Sequence, residues 1–285
     1  MAGGVTGTLY LVGTPIGNLE DITDRARRIL RSVDLVAAED TRRTGRLLRS
    51  MGISARLVSF FEGNERARTE EVVAALRDGS NVAVVSDAGM PGVSDPGYRL
   101  VSACVEAGIP VDVAPGPSAV LAALVISGLP TDRFVFEGFL PRSGRPRAER
   151  MAAVGGEPRT VVLFESPRRV ARTLKDLLEF GDRRVALVRE LTKLHQEVIR
   201  GTLSEVLEQF RGRDPKGEIA LVLEGAAAER PALEDAVEVA RRLTEHGLTK
   251  REAARRARDE VGSGIPVGDI YRRLTEGAVK DRSGS

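Results

Sequence analysis

Seven ionisable side chains, Glu39, Asp40, Asp87, Glu165, Lys193, His195 and Glu197, stand near the ends of short β-rich runs. Carboxylates, an amine and an imidazole at such positions can accept, hold or relay a proton. Beside them lie four loops rich in Gly or Pro: Gly13-Thr-Pro-Ile-Gly-Asn18, the segment 86–97, Ala114-Pro-Gly-Pro-Ser118 and Glu165-Ser-Pro167. One such loop taken alone is ordinarily a turn. The 86–97 segment exceeds what a turn needs, with three Gly, two Pro and two Asp in twelve residues. Glycine lets a backbone approach a ligand closely, and open α/β sheets bind ligands beyond the carboxyl ends of their strands. Together the loops outline a cleft.

The kind of ligand is narrowed by what the loops lack. No GxxxxGK[ST] string occurs, and Gly13 and Gly17 are four apart with Pro between them, so GxGxxG is missing as well. ATP hydrolysis and nicotinamide chemistry are disfavoured. A ligand held mostly by backbone amides and carbonyls, with one carboxylate for a hydroxyl or ammonium group, is left open, and S-adenosylmethionine has that character. Two His and no CxxC exclude a zinc site, and no metal is expected.

The elements that position these residues alternate regularly. Residues 8–12 read as a strand running into the first loop, followed by a helix with apolar spacing at Ile22, Ala26, Ile29, Leu30 and Val33. The alternation continues with strand 34–38, helix 42–50, strand 56–60, helix 68–78, strand 81–86, helix 97–107, strand 110–114 and helix 118–127. This grammar implies a mainly parallel sheet covered on both faces. Gly128 and Pro130 then break the chain. Beyond them come strand 134–139, helix 146–153, strand 160–164, helix 167–179 and two apolar runs, 184–191 and 196–202. The gap between those runs is too short for a helical crossover, so they should pair antiparallel in a mixed sheet. Strand 218–223 and three helical segments, 232–246, 249–261 and 266–276, complete the chain. The expected division is an N-terminal α/β domain over 1–127, a second over 131–225 and a helical appendage over 230–285.

The 285 residues, 42% apolar and 29% charged, are ordinary globular composition. Net charge is only +2, but residues 25–49 and 142–172 each carry eight Arg against three acids, and 241–258 is Arg-rich too. Such runs are either solvated faces or polyanion-binding surfaces. A single Cys104 on an apolar helical pattern reads as core in a reducing compartment. The longest apolar run, 119–126, is far shorter than the ~20 residues of a membrane span, and no secretory signal is visible at the start. A cytoplasmic protein without a membrane or DNA partner is expected.

Nine strings occur in order: Thr14-Pro-Ile-Gly-Asn-Leu19, Ala38-Glu-Asp-Thr-Arg42, Ser86-Asp-Ala-Gly-Met-Pro-Gly-Val-Ser-Asp-Pro-Gly97, Pro115-Gly-Pro-Ser118, Gly128-Leu-Pro-Thr-Asp-Arg-Phe134, Phe136-Glu-Gly-Phe-Leu-Pro141, Phe164-Glu-Ser-Pro167, Arg189-Glu-Leu-Thr-Lys193 and Arg200-Gly-Thr-Leu203. Over residues 8–276 the chain resembles the bacterial ribosomal small subunit methyltransferase I family, which 2′-O-methylates a decoding-centre cytidine of 16S rRNA with S-adenosylmethionine. Departures are small: Met90 where the family commonly has Thr, Pro117 where it has Ala or Cys, Phe164 where it has Tyr, and Gln196 in place of Glu.

The resemblance implies the tetrapyrrole methylase fold, two α/β domains with the cofactor in the cleft between them, usually in a homodimer. With the loop positions, it implies that S-adenosylmethionine is held by Pro15, Gly17, Asp87, Ala88, Gly89, Met90, Val93, Ser118, Ala119, Phe164, Glu165, Leu191 and Ala220. The partner is 16S rRNA within the 30S subunit, with Arg42, Arg43, Arg142, Arg145, Arg168 and Arg169 as candidate RNA contacts. Glu39, Asp40, Lys193 and His195 are the candidate catalytic residues. Each has a plainer alternative. Glu39 and Asp40 suit an ion-paired helix start, Lys193 is a base only if burial lowers its pKa and otherwise holds a phosphate, and His195 suits an exposed strand. Two rival functions are a small-molecule methyltransferase of the same fold and a non-catalytic ribosome-binding factor.

Overall fold

Ten strands and eleven α-helices follow the alternation of the sequence in the computed structural model, which describes residues 6–213, 216–227, 233–262 and 264–280. The first half contains β1 (Leu9–Val12), α1 (Asp24–Ser32), β2 (Leu35–Ala38), α2 (Thr41–Ser50), β3 (Leu57–Ser59), α3 (Glu65–Arg77), β4 (Val82–Val85), α4 (Tyr98–Glu106), β5 (Val111–Ala114) and α5 (Ala119–Ser127). Its five strands pair in the order β3-β2-β4-β1-β5, all parallel. Buried on both faces, they are near-continuous apolar runs, as in Val-Ala-Val-Val of β4. On one face Ala26 and Leu30 of α1 and Leu48 of α2 pack on Val36, Ala83 and Val85. On the other, Val72 and Leu76 of α3 and Leu100 and Cys104 of α4 pack on Leu9, Ala37 and Val84.

α1 follows β1 onto one face and α4 follows β4 onto the opposite face, although β1 and β4 are neighbours. Their outgoing loops therefore diverge and leave a crevice at the strand ends, the place where open α/β sheets bind ligands.

The second sheet, order β6-β7-β10-β8-β9, is built from β6 (Phe134–Phe139), β7 (Thr160–Glu165), β8 (Arg184–Arg189), β9 (Glu197–Thr202) and β10 (Ile219–Leu223). Only β6 and β7 run parallel; the remaining pairs, β8 with β9 included, are antiparallel. α6 (Gly144–Gly156), α7 (Pro167–Leu178) and α8 (Leu203–Phe210) supply one buried face, through Met151, Leu174 and Val206. The opposite face is covered by Val120, Ala123 and Leu124 of α5, packed on Val162, Ala186 and Val222. The break at 127–130 thus falls after the helix that covers the second sheet, because α5 is apolar enough to bury a face there. Arg200 of β9 donates to the carbonyls of Ile126 and Ser127 and Gly128 takes φ 80°, which closes the end of α5.

The sequence reading passes over α8, yet its signal is present. Thr202 and Glu205 form a reciprocal cap, each side chain bonding the other's backbone N–H. β8 also ends earlier than the apolar run to Leu191, since Glu190 and Thr192 adopt φ 52° and 65° and turn the chain. His195 consequently lies in a turn and not on a strand.

Both sheets belong to one compact unit reaching Ala226, and the terminal helices form another. In the latter, α9 (Leu233–Glu245), α10 (Lys250–Val261) and α11 (Val267–Lys280) pack around Ala236, Ala240, Ala253, Ala257, Ile270 and Leu274. Small alanines let these helix axes approach closely. Of the expected divisions, residues 1–5, 214–215, 230–232, 263 and 281–285 lie outside the described residues. Among the described residues no helix is long and apolar enough to cross a membrane.

Candidate active site

The loops after β1 and β4 are tied together by backbone. Thr14 N–H donates to the Gly89 carbonyl at 2.9 Å, and Gly89 N–H returns a bond to Thr14 at 3.1 Å. The Thr14 hydroxyl, buried, donates to the Ser86 carbonyl at 3.2 Å. A third loop closes on them, for a Cβ added to Gly13 would lie 2.7 Å from Gly116 Cα, and one added to Gly116 2.9 Å from Gly13 Cα. Only glycine at both positions permits that approach.

Beyond these loops opens a cavity of about 370 Å³, within the range of small-molecule sites. Its first wall is Ala88, Gly89, Met90 and Val93 of the 86–97 loop, with Ile16. Ser118 and Ala119 at the start of α5 form a second, where the Ser118 hydroxyl accepts the Leu121 N–H and caps the helix. The second sheet closes it with Phe164, Glu165, Val188, Leu191 and Ala220. Phe164 is held edge-on by Phe136 at 5.0 Å between ring centroids, with Phe139 tilted at 5.6 Å. All of the sequence's cofactor candidates line this cavity except Pro15, Gly17 and Asp87, which line an adjoining one with Arg43, Lys193 and Glu218. Asp95, Phe139 and Glu218 also face the main cavity and were not among the candidates. Asp95 was legible as the second acid of the 86–97 loop, whereas Phe139 passed for an ordinary strand aromatic.

Carboxylates gather where β2 and β4 end. Asp87 N–H donates to Glu39 Oε2 at 3.1 Å, and Asp40 N–H donates to Asp87 Oδ1 at 3.1 Å. Asp87 Oδ2 pairs with Arg43 Nη1 at 3.1 Å. The Asp40 carboxylate caps α2, accepting the N–H groups of Arg42 and Arg43, and pairs with the Arg42 guanidinium. Those hydrogen bonds pull its pKa down to about 2, so it remains an anion with its oxygens engaged. Asp95 behaves oppositely. Burial, then the charges of Glu39 and Asp87, push it up to about 6 against a hydrogen bond from Ser86.

Lys193 lies between Glu190 Oε1 at 2.8 Å and Glu218 Oε2 at 3.0 Å. Burial acts to lower its pKa, but the hydrogen bonds and charges of the two acids outweigh burial and raise it. The condition for a lysine base is absent. Glu197 is held by Arg189 and Arg213, and His195 is exposed.

The model for the tetrapyrrole (corrin/porphyrin) methylases matches residues 8–207. A ribosomal RNA small subunit methyltransferase I from Synechocystis sp. is 48% identical over 270 residues, 93% of this chain and 96% of its own. One from Thermotoga maritima is 53% identical over 220 residues, 77% of this chain and 99% of its own. The chain belongs to the ribosomal RNA small subunit methyltransferase I family. Among solved structures, uroporphyrin-III-C-methyltransferase from Thermus thermophilus aligns with TM-score 0.55 and 26% identity over 76% of this chain and 94% of that one. Cobalt precorrin-4 methyltransferase aligns with TM-score 0.57 at 18% identity over the same shares and reports the fold alone.

Small subunit methyltransferase I enzymes take their methyl group from S-adenosylmethionine, and the cavity suits it. Apolar walls match its adenine, and the start of α5 offers N–H groups to a carboxylate.

The candidate RNA arginines of this methyltransferase divide. Arg42 and Arg43 are exposed on α2, where Arg42, Arg43, Arg46 and Arg49 line a shallow groove. Arg142, Arg145 and Arg168 are exposed as well, Arg145 pairing with Glu149. Arg169 is turned inward, with its Nε 3.0 Å from buried Glu165 and its Nη2 donating to the Leu140 carbonyl at 2.6 Å. Arg147, counted in the same basic run, is buried against Asp176 and Thr173. That run is therefore partly scaffold.

Proposed function

We propose that this chain 2′-O-methylates a decoding-centre cytidine of 16S rRNA in the small ribosomal subunit, with S-adenosylmethionine bound in the main cavity. The name shared by its relatives supplies the rRNA substrate. The observation that carries the reading is the junction of that cavity's loop with the Arg-lined face of α2, through Arg43 and Asp87. An apolar donor pocket beside an exposed cationic helix suits a small donor and a polyanionic acceptor.

The donor supplies an electrophilic methyl group, and a sulfonium needs no acid to help it leave. The protein's work is to align the ribose hydroxyl and exclude water. Met90, Val93, Phe139 and Phe164 furnish apolar walls for that purpose. Arg42, Arg43, Arg46 and Arg49 hold phosphates, and Arg142, Arg145 and Arg168 are further backbone contacts. The reading places the enzyme in the cytoplasm with the ribosome. It also carries a homodimer, for which Val113 on edge strand β5 and Leu121 and Val125 on the outer face of α5 are exposed apolar residues.

Acceptor class is tested by incubating the protein with labelled S-adenosylmethionine and 30S subunits from cells lacking the gene. Label should enter RNase-sensitive material. Label in an added tetrapyrrole, and none in RNA, would support the small-molecule reading.

A further inference from the structure

The proton released by a ribose hydroxyl needs an acceptor, and none of the sequence candidates lines the main cavity. Asp40 caps a helix, Lys193 holds its proton between two acids, His195 is exposed on a turn, and Glu39 accepts the Asp87 N–H. Three carboxylates line the main cavity: Asp95, Glu165 and Glu218. Glu165 is enclosed by Arg169, the Ser166 N–H and the Thr173 hydroxyl, and Glu218 pairs with Lys193. Among the described residues Asp95 is the one of the three with no basic partner. We propose that Asp95 is the proton acceptor of the methyl transfer, a role that rests on the reading of a ribose 2′-hydroxyl as the nucleophile.

The loop is built to hold it there. Ser94, just before it, takes φ 62°, a left-handed conformation that a non-glycine residue adopts only when its surroundings enforce it. Pro96 follows, and Gly97 at φ 146° donates its N–H to Glu65 of α3 at 3.0 Å, pinning the far end of the loop. A Cβ on Gly138 of β6 would lie 3.2 Å from Ser94 Oγ, so this part of the loop reaches the second sheet, at the edge of the cavity.

The charged groups around Asp95 are Glu39 beyond β2, Asp87 in its own loop with Arg43 of α2 upon it, and, lining the same cavity from the second sheet, Glu165 with Arg169 and Glu218 with Lys193. With a pKa of about 6 it is ionised at neutral pH and a stronger base than an ordinary carboxylate. In the step, the hydroxyl oxygen forms the new O–C bond, the C–S bond breaks with its electron pair left on sulfur, and the hydroxyl proton passes to Asp95.

The experiment measures single-turnover transfer to 30S subunits at saturating donor against pH, for wild type, Asp95→Asn and Asp95→Glu, with donor affinity by calorimetry and carboxyl titrations by ¹³C NMR. The wild-type rate should rise through about pH 6 and then level. Asp95→Asn should lose at least about 100-fold in rate and the inflection, with donor affinity kept, and Asp95→Glu should recover part of the rate. An Asp95 resonance should titrate near pH 6 and be absent from the Asn variant. A fully active Asn variant, a rate loss matched by lost donor affinity, or titration at an ordinary carboxylate pH overturns the assignment. A wild type that binds donor and methylates rRNA on a base overturns the ribose reading itself, and is recognised by the position of the label.

Discussion

Arg43 Nη1 lies 3.1 Å from Asp87 Oδ2, joining the first turn of α2 to the loop that follows β4. The other oxygen of the same carboxylate accepts the Asp40 N–H, so the cationic helix and the cavity loop are held as one piece. Arg43→Met should therefore weaken donor binding as well as subunit binding, the former by a few-fold, because a partly exposed pair contributes about 0.2–1 kcal/mol. Calorimetry with donor and cosedimentation with 30S subunits separate the two effects.

Arg46 and Arg49 line the same groove without touching Asp87. Arg49→Met, at a position outside both cavities, should leave donor affinity and thermal stability unchanged while weakening subunit binding. Each lost phosphate contact should flatten the dependence of log K on log salt by about 0.7–0.9. Equal slopes for variant and wild type would remove α2 from the RNA face.

Gly13 and Gly116 are in backbone contact, and neither neighbour is a flexible side chain that can swing away. Gly13→Ala or Gly116→Ala should cost about 1–3 kcal/mol in denaturant unfolding and open the cavity, with a matching loss of donor affinity. Gly108→Ala is a contrasting case, since a Cβ there meets nothing within 4 Å, though its φ of 67° leaves some backbone strain. Its donor affinity should be untouched.

Much of the layout was legible. Apolar runs and helical spacing located every strand and nearly every helix, and the short gap before Glu197 foretold the antiparallel β8–β9 pair. The cavity followed from loops at strand ends, since Gly13, Gly89 and Gly116 have no reason to cluster except close backbone approach. The division of labour among ionisable residues was not legible, because it depends on contacts distant in sequence. Lys193 is fixed by Glu218, Asp87 by Arg43, and Arg147 by Asp176, which no spacing rule connects. Asp95 stood in a quoted motif, but its lack of a cation became visible only once the chain had folded.

Arg147 buries its guanidinium against Asp176 Oδ2 at 2.7 Å and Thr173 Oγ1 at 3.1 Å, and Thr173 in turn donates to Glu165 at 2.6 Å. Arg147→Met should cost about 3 kcal/mol by leaving those groups short of a partner. The same change should leave the salt dependence of subunit binding unaltered, which distinguishes scaffold from RNA contact.

Asp95 gives stability a pH signature. Its folded pKa, about 6, is raised above the ordinary carboxylate value of 3.8, so between those values the folded state binds more protons than the unfolded state. This group's contribution to stability therefore falls as pH rises through that window and is level above it. Asp95→Asn, which removes the charge, should melt higher than wild type at neutral pH, with the difference vanishing below about pH 4. Thermal melts of both proteins across that range are the check.

The most direct test of the central claim combines purified protein, labelled S-adenosylmethionine and 30S subunits from a strain lacking the gene, followed by mapping of resistance to alkaline cleavage along 16S rRNA. The account predicts one new protected position, on a decoding-centre cytidine, because a 2′-O-methyl blocks attack by the ribose oxygen on the neighbouring phosphate. Donor binding without any transfer to subunits or free rRNA, or label that leaves every phosphodiester cleavable, would contradict it.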